Sequence, residues 1–327
     1  MKNKVDLTVS SGPHMTSGES IERIMYTVIL ALVPAMLASI YYFDTMAVGL
    51  IVACSLGAIG TEFISQKLRG VPVTIGDGSA LLTGILLALT LPPTLPIWMA
   101  VLGSIVAIAL GKHVFGGLGY NIFNPALVGR AFVGVAYTEA ITNMVPPVGM
   151  PVILTEILPM DGIRESLGVV DIVSSATPLA EEGIGIMNMF VGRTGGSLGE
   201  TSALALILGG LYLLYKGYID WRIPVGYLGS VAVLTTLLGS QGPLFHLFAG
   251  GLMLGAFFMA TDMVTSPVTK KGRWIFGIGC GIILVIIRLY GNYAEGVLFS
   301  ILLMNMFVPI IDKYTLPRVF GEVRANG

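Results

Sequence analysis

Nine residues near the middle of the chain, Asp171-Ile172-Val173-Ser174-Ser175-Ala176-Thr177-Pro178-Leu179, gather three hydroxyls and one carboxylate. A threonine hydroxyl can carry a phosphate ester when it is exposed on backbone that another enzyme can reach. Thr177 is the candidate, because Ser174, Ser175 and Ala176 are small and Pro178 biases the residue before it toward an extended conformation. The plainer reading of the same residues is a Ser-rich loop or a helix N-cap region. Two further places carry charge inside apolar runs, where ionisable groups are functional candidates by default. Arg130 follows Asn124-Pro125; it faces the bundle interior, pairs with an acid or a phosphate, or reaches the outer half of its span. Asp262 precedes Thr265-Ser266-Pro267. Asp262 and Ser266 are candidates for an ion path, the alternative being a helix-end turn beside Lys270, Lys271 and Arg273.

These groups sit in a chain built for lipid. Hydrophobic residues make up 54% and charged residues 11%, against about 25% charged in a soluble domain. The formal charge of -1 supplies no field for nucleic acid. Two cysteines, Cys54 and Cys280, cannot provide a four-thiolate iron–sulfur cluster or a structural zinc site. They are expected to be buried thiols. His14, His113 and His246 are too scattered for a haem or metal motif. The polar first 20 residues hold no apolar run of the kind a cleavable signal needs. Asp77 and Glu62 read as residues near a cytoplasmic interface.

The fold expected is an all-α polytopic membrane protein of about ten transmembrane helices. Apolar segments fall at 24–43, 45–64, 78–92, 95–112, 121–138, 199–216, 223–240, 244–261, 274–290 and 293–312. With the N-terminus inside, 14 of the 18 Lys and Arg residues lie on the cytoplasmic side. Arg164, Arg193 and Arg288 lie outside, and Arg130 lies within a span. The chain therefore divides into a cytoplasmic segment 1–23, a first membrane half 24–138, an outward-facing acidic region 139–198, a second membrane half 199–312 and a cytoplasmic tail 313–327. Thr177 falls in the outward-facing region, a length of loop that is usually functional or a linker.

The halves echo one another. Gly76-Asp77-Gly78-Ser79-Ala80-Leu81 opens the third apolar segment and Gly199-Glu200-Thr201-Ser202-Ala203-Leu204 the sixth. Asn124-Pro125 before Arg130 parallels Ser266-Pro267 before Arg273. Five spans per half would make such repeats inverted, with broken helices that place substrate or ion sites near the midplane. The two matches do not open the same span of each half. The Gly-rich stretch Gly111 to Gly129 lacks the Gly-Lys-Ser/Thr of a phosphate-binding loop. It is either a close-packing seam of small residues or a broken helix that binds a flavin or lines an ion path.

The pattern Asp-x-x-Ser-x-Ala-Thr at Asp171 to Thr177 resembles the signature read by flavin transferases, which join FMN through its phosphate to threonine. Gly116 to Ala126, Gly76 to Gly84 and Phe258 to Pro267 carry a wider resemblance over essentially the whole chain. It is to the membrane-protein family that includes the D-type member of Rnf, the ion-translocating ferredoxin:NAD oxidoreductase, and the B-type member of the sodium-pumping NADH:quinone reductase. The resemblance implies covalent FMN on Thr177, with Asp171, Ser174, Ser175 and Ala176 forming the recognised motif; Asn124, in the Gly-rich stretch, and Arg130, as a holder of the FMN phosphate, are further flavin-binding candidates read from the residues themselves. It also implies a non-covalent riboflavin, by way of the related reductase, and coupling of electron transfer to export of sodium ions or protons. Its implied partners are a flavin transferase, membrane lipid and companion proteins of the Rnf A, B, C, E and G types, in the cytoplasmic membrane of a bacterium or archaeon. Ser175 stands where the commonest form of the motif has glycine, and a small residue still suits the transferase. The shorter outward region and the lack of a long N-terminal extension favour the Rnf side of the family. The competing expectation, from the membrane region alone, is a transporter or channel for a small polar solute with a urea-channel-like fold. It leaves Asp171 to Leu179 unexplained.

Overall fold

A computed structural model describes residues 19–142, 186–192, 194–239, 242–291 and 296–317. Thr177 and its motif neighbours Asp171, Ser174, Ser175 and Ala176 lie outside them. Among the described residues all regular structure is helical. Four helices are long and apolar enough to cross a membrane: α1 (Ile21–Phe43), α2 (Thr45–Leu68), α12 (Lys270–Tyr290) and α13 (Val297–Thr315). Each has 19 to 24 residues, and about 20 span a hydrocarbon layer. Ser20 starts α1 by accepting the backbone N–H of Arg23 at 3.1 Å, one of the donors a helix start leaves open. Asp44 takes φ +53° and lets α2 begin directly after α1 ends.

The other membrane-type helices are shorter. They are α3 (Ser79–Leu89), α4 (Ile97–Ile108), α5 (Pro125–Ala136), α8 (Ala203–Lys216) and α9 (Arg222–Leu238), while α6 (Thr138–Thr142) and α7 (Ile186–Val191) flank the undescribed stretch. At 1.5 Å per residue α3 rises only about 16 Å, half a bilayer core. A π-helical turn, Ala109–His113, extends α4. The expected single span 244–261 is corrected. It is a short helix α10 (Pro243–Phe248), a break at Ala249-Gly250-Gly251, then one helical turn α11 (Leu252–Leu254) running into a second π-helical turn, Gly255–Met259. Gly250 adopts φ +70° at the break, which an L side chain resists. The expected segment 121–138 is helical only from Pro125, because Asn124 caps it there.

Packing follows two parallel sets. α2 lies against α3 and α4, and α4 against α5. α9 lies against α10 and α12, and α12 against α13. α1 packs on α8, and α5 meets α13. In lipid such contacts rest on close van der Waals fit, which small residues permit. A Cβ at Gly84 would lie 2.6 Å from the Cα of Ser55, so α3 sits directly on the backbone of α2. Both thiols, Cys54 and Cys280, are buried as expected. Large apolar side chains such as Leu30, Leu37, Leu56 and Ile286 stay exposed on the long helices, as lipid-facing positions do.

One polar clamp ties the α8–α9 connection to the start of α12. Asp220 accepts from Nη1 of Arg222 at 2.8 Å and of Arg273 at 2.6 Å. Burial alone would raise the Asp220 carboxyl. The Arg222 backbone N–H and the two guanidiniums outweigh it and hold the group below the usual carboxylate range.

Candidate functional site at the helix breaks

The interruptions of α3, α4, α5 and the α11 π turn border one cavity of about 80 Å³. A water needs about 10–15 Å³ of such space, so the cavity holds several waters or a small cation with part of its shell. Its polar wall comprises Ser79 and Thr83 of α3, Lys112 of the first π turn, Asn121 and Asn124 ahead of α5, and Thr261 and Asp262 after the second π turn. Phe257, Phe258 and Tyr218 close the apolar side. Asn121 is 6% exposed, and its side-chain oxygen has no hydrogen-bond partner.

Lys112 is 2% exposed. Its ammonium donates to both carboxylate oxygens of Glu62 at 2.8 Å and to Oγ of Ser79 at 2.7 Å, so its three donors are used. Ser79 Oγ in turn donates to Asp77 at 2.6 Å. Glu62 is 1% exposed and also accepts from Gln66 at 2.9 Å, with Nε2 of His113 at 3.7 Å. The local cause is the π turn, whose extra residue rotates Lys112 inward. Gly111 lets that turn press on α5, since a Cβ there would lie 2.9 Å from the Cα of Pro125.

The second break is tied by two amides. Asn124 accepts from the N–H of Ala126 at 3.0 Å to cap α5 and donates to the carbonyl of Met259 at 3.3 Å. Asn305 of α13 accepts from the N–H of Asn124 at 3.4 Å and donates to the carbonyl of Thr265 at 2.9 Å. Asp262 accepts from the N–H of Val264 at 3.3 Å and from Oγ1 of Thr265 at 3.0 Å. The N–H of Ser266 bonds the Asp262 carbonyl. The unwound stretch thus holds Asp262 at the cavity edge, and a carboxylate is a group that binds hard cations.

Two arginines hold the short helices at their C-terminal ends. Arg130 of α5 donates from Nε to the carbonyl of Thr90, just past α3, at 2.8 Å. Arg288 of α12 donates to the carbonyls of His246 and Ala249, at the end of α10. Each places positive charge where a helix dipole is negative.

Of the residues singled out in the sequence, Asn124 and Asp262 share the cavity, Ser266 adjoins it in the same turn, and Arg130 latches α3. Glu62 and Asp77, read as plain interface residues, are the anchor and the outer end of the Lys112 network. Sequence reasoning missed Lys112, Asn121 and Asn305 as site residues. Asn305 had a signal, a lone amide in the apolar run of α13. Lys112 reads in sequence as one more cytoplasmic charge.

Four membrane-length apolar helices among the described residues, with shorter apolar helices around a polar cavity, describe a multi-pass membrane protein. The chain belongs to the NQR2, RnfD, RnfE family, whose match covers residues 8–321. It is 46% identical over 338 residues to the D-type member of the proton-translocating ferredoxin:NAD(+) oxidoreductase complex of Clostridium ljungdahlii, covering 97% of each chain. It is 45% identical over 331 residues to the D-type member of the Na(+)-translocating ferredoxin:NAD(+) oxidoreductase complex of Acetobacterium woodii, covering 98% of each. The corresponding member of the ion-translocating oxidoreductase complex of Methanosarcina acetivorans is 38% identical over 317 residues, covering 97% of this chain and 98% of that one.

Proposed function

We propose that this chain is the D-type membrane component of an ion-translocating ferredoxin:NAD oxidoreductase complex, working only with the complex's other subunits. The observation that carries this is near-full-length identity of 45–46% to two such proteins. The solute-transporter reading gains no support from these relatives. Within the proposal, Thr177 carries FMN through a phosphate ester, on the motif formed with Asp171, Ser174, Ser175 and Ala176. FMN supplies one- and two-electron redox chemistry when bound. The protein's share is to hold that group at the outer face while the membrane region carries the ion. Arg130, buried with its Nε on Thr90, serves α3 in this arrangement, which favours a latch over a phosphate contact. Asn124 is likewise engaged as cap and tie. No step is assigned to riboflavin.

The ion-path reading rests on the breaks. We count α10 through the second π turn as one broken crossing among ten, in two halves related as inverted repeats. The matched packing supports this: α2 against α3 and α4, as α9 against α10 and α12. That pairing sets α3 against α10, where the short sequence matches set Gly76 to Leu81 against Gly199 to Leu204. With N-in/C-in topology, the cavity lies on the cytoplasmic side, beside Ile24 and Met25 of α1 and Tyr218. Asp262 and the turn to Ser266 are its ion-path candidates. The two relatives named for different cations match this chain almost equally, so identity does not choose the cation. The test is the purified complex in vesicles, given reduced ferredoxin and NAD. Cation uptake that stops without either substrate supports the proposal, and electron transfer with no cation movement refutes it.

A further inference from the structure

The geometry points to Lys112 as a resident counter-cation that exchanges Glu62 for Asp262, so that the cavity binds one monovalent cation per exchange. This rests on the ion-translocating reading above. Lys112 and Asp262 border the same cavity, on walls supplied by the two halves. Glu62 stands behind Lys112 and holds it through both oxygens. With the imidazole of His113 neutral, these groups sum to two negative charges and one positive. Nearby, Arg69 bonds the His113 carbonyl and Asp77 bonds Ser79; they are of opposite sign and cancel.

Asp262, half-buried at the cavity edge, is the carboxylate of this set with neutral donors only, the Val264 N–H and Thr265 Oγ1, so a monovalent cation or a proton completes it. The partnerless oxygen of Asn121 on the same wall offers that cation a neutral ligand beside Asp262. When Lys112 leans to Asp262, Glu62 is the group left to be neutralised, and the arriving cation is released from Asp262. A divalent ion would overshoot by one charge. Buried ion pairs are weak devices for stability, whereas a flexible lysine on a π turn is suited to exchange partners. Ser79, bonded to Lys112 and opening α3, passes the movement to a helix.

The test uses the intact complex in sealed vesicles, comparing wild type, the double variant E62Q/K112M and K112R. Cations moved per electron pair are read with radioactive sodium and, separately, with a trapped pH-sensitive dye. Slower turnover then does not count as loss. The double variant keeps a neutral pair of similar size. It is expected to assemble and to move at least about tenfold fewer cations per electron pair. K112R keeps the charge with a different head. It is expected to remain coupled, with half-saturation for the transported cation shifted by about fivefold or more. A double variant with wild-type cations per electron pair overturns the proposal. Should that variant not assemble, an unshifted half-saturation in K112R overturns it instead. A wild-type complex that transfers electrons without moving either cation refutes the ion-translocating reading itself.

Discussion

Removing one member of the Lys112–Glu62 pair tests the local physics independently of transport. In K112M the carboxylate of Glu62, 1% exposed, loses two charge-assisted hydrogen bonds at 2.8 Å. Only Gln66 at 2.9 Å and the His113 ring at 3.7 Å remain beside it. Stranding one member of a buried pair costs about 3–5 kcal/mol, while exchanging both members for neutral groups of similar volume is often close to neutral. K112M and E62Q are therefore each expected to destabilise, and E62Q/K112M to recover most of what either loses. The sum of two single losses would be about 6–10 kcal/mol, so the departure from additivity is large beside the usual 0.5–3 kcal/mol between neighbours. The assay is a heating series on the detergent-solubilised complex, read as the fraction remaining in a monodisperse chromatographic peak. A double variant whose midpoint falls by the sum of the two singles would refute the reasoning.

Three further outcomes follow from the packing and the clamps. N305L removes the donor to the Thr265 carbonyl and the acceptor for the Asn124 N–H; it should cost about 1–3 kcal/mol for each buried group left unpaired, seen as a lower midpoint in the same heating series. G84L drives a side chain into the backbone of α2, where overpacking costs about 1–3 kcal/mol or more; the expected result is loss of the monodisperse peak, and a normal elution profile would contradict the close approach. Asp220 has a depressed folded pKa, so its contribution is complete above the ordinary carboxylate value of about 3.9 and is lost as pH falls through the lower folded value. The midpoint gap between wild type and D220N should hold steady from neutral pH down to about 5 and close below that; a gap that widens in acid would overturn the clamp.

Long spans were legible because α1, α2, α12 and α13 are continuous apolar runs of the right length. The short helices were legible where proline marked their ends, as Leu91-Pro92-Pro93 does after α3. The break inside 244–261 was not, since Ala249-Gly250-Gly251 interrupts neither hydropathy nor periodicity; only a glycine pair able to take positive φ marks it. Asp262 and Asn124 were found because charge and Asn-Pro stand out in apolar sequence. Lys112 was lost because its partner lies 50 residues away and burial of a charge is decided by such a distant pairing. Arg130 carried the same difficulty: an arginine within an apolar run is visible in sequence, but the Thr90 carbonyl it serves is not.

The proposed electron-carrying role is tested most directly by the mass of the peptide containing Thr177, from the complex purified out of cells that possess a flavin transferase. A peptide heavier by one FMN less water, with flavin fluorescence of the denatured band that disappears in T177A, is the expected result. A full-occupancy unmodified peptide and a dark wild-type band would contradict it.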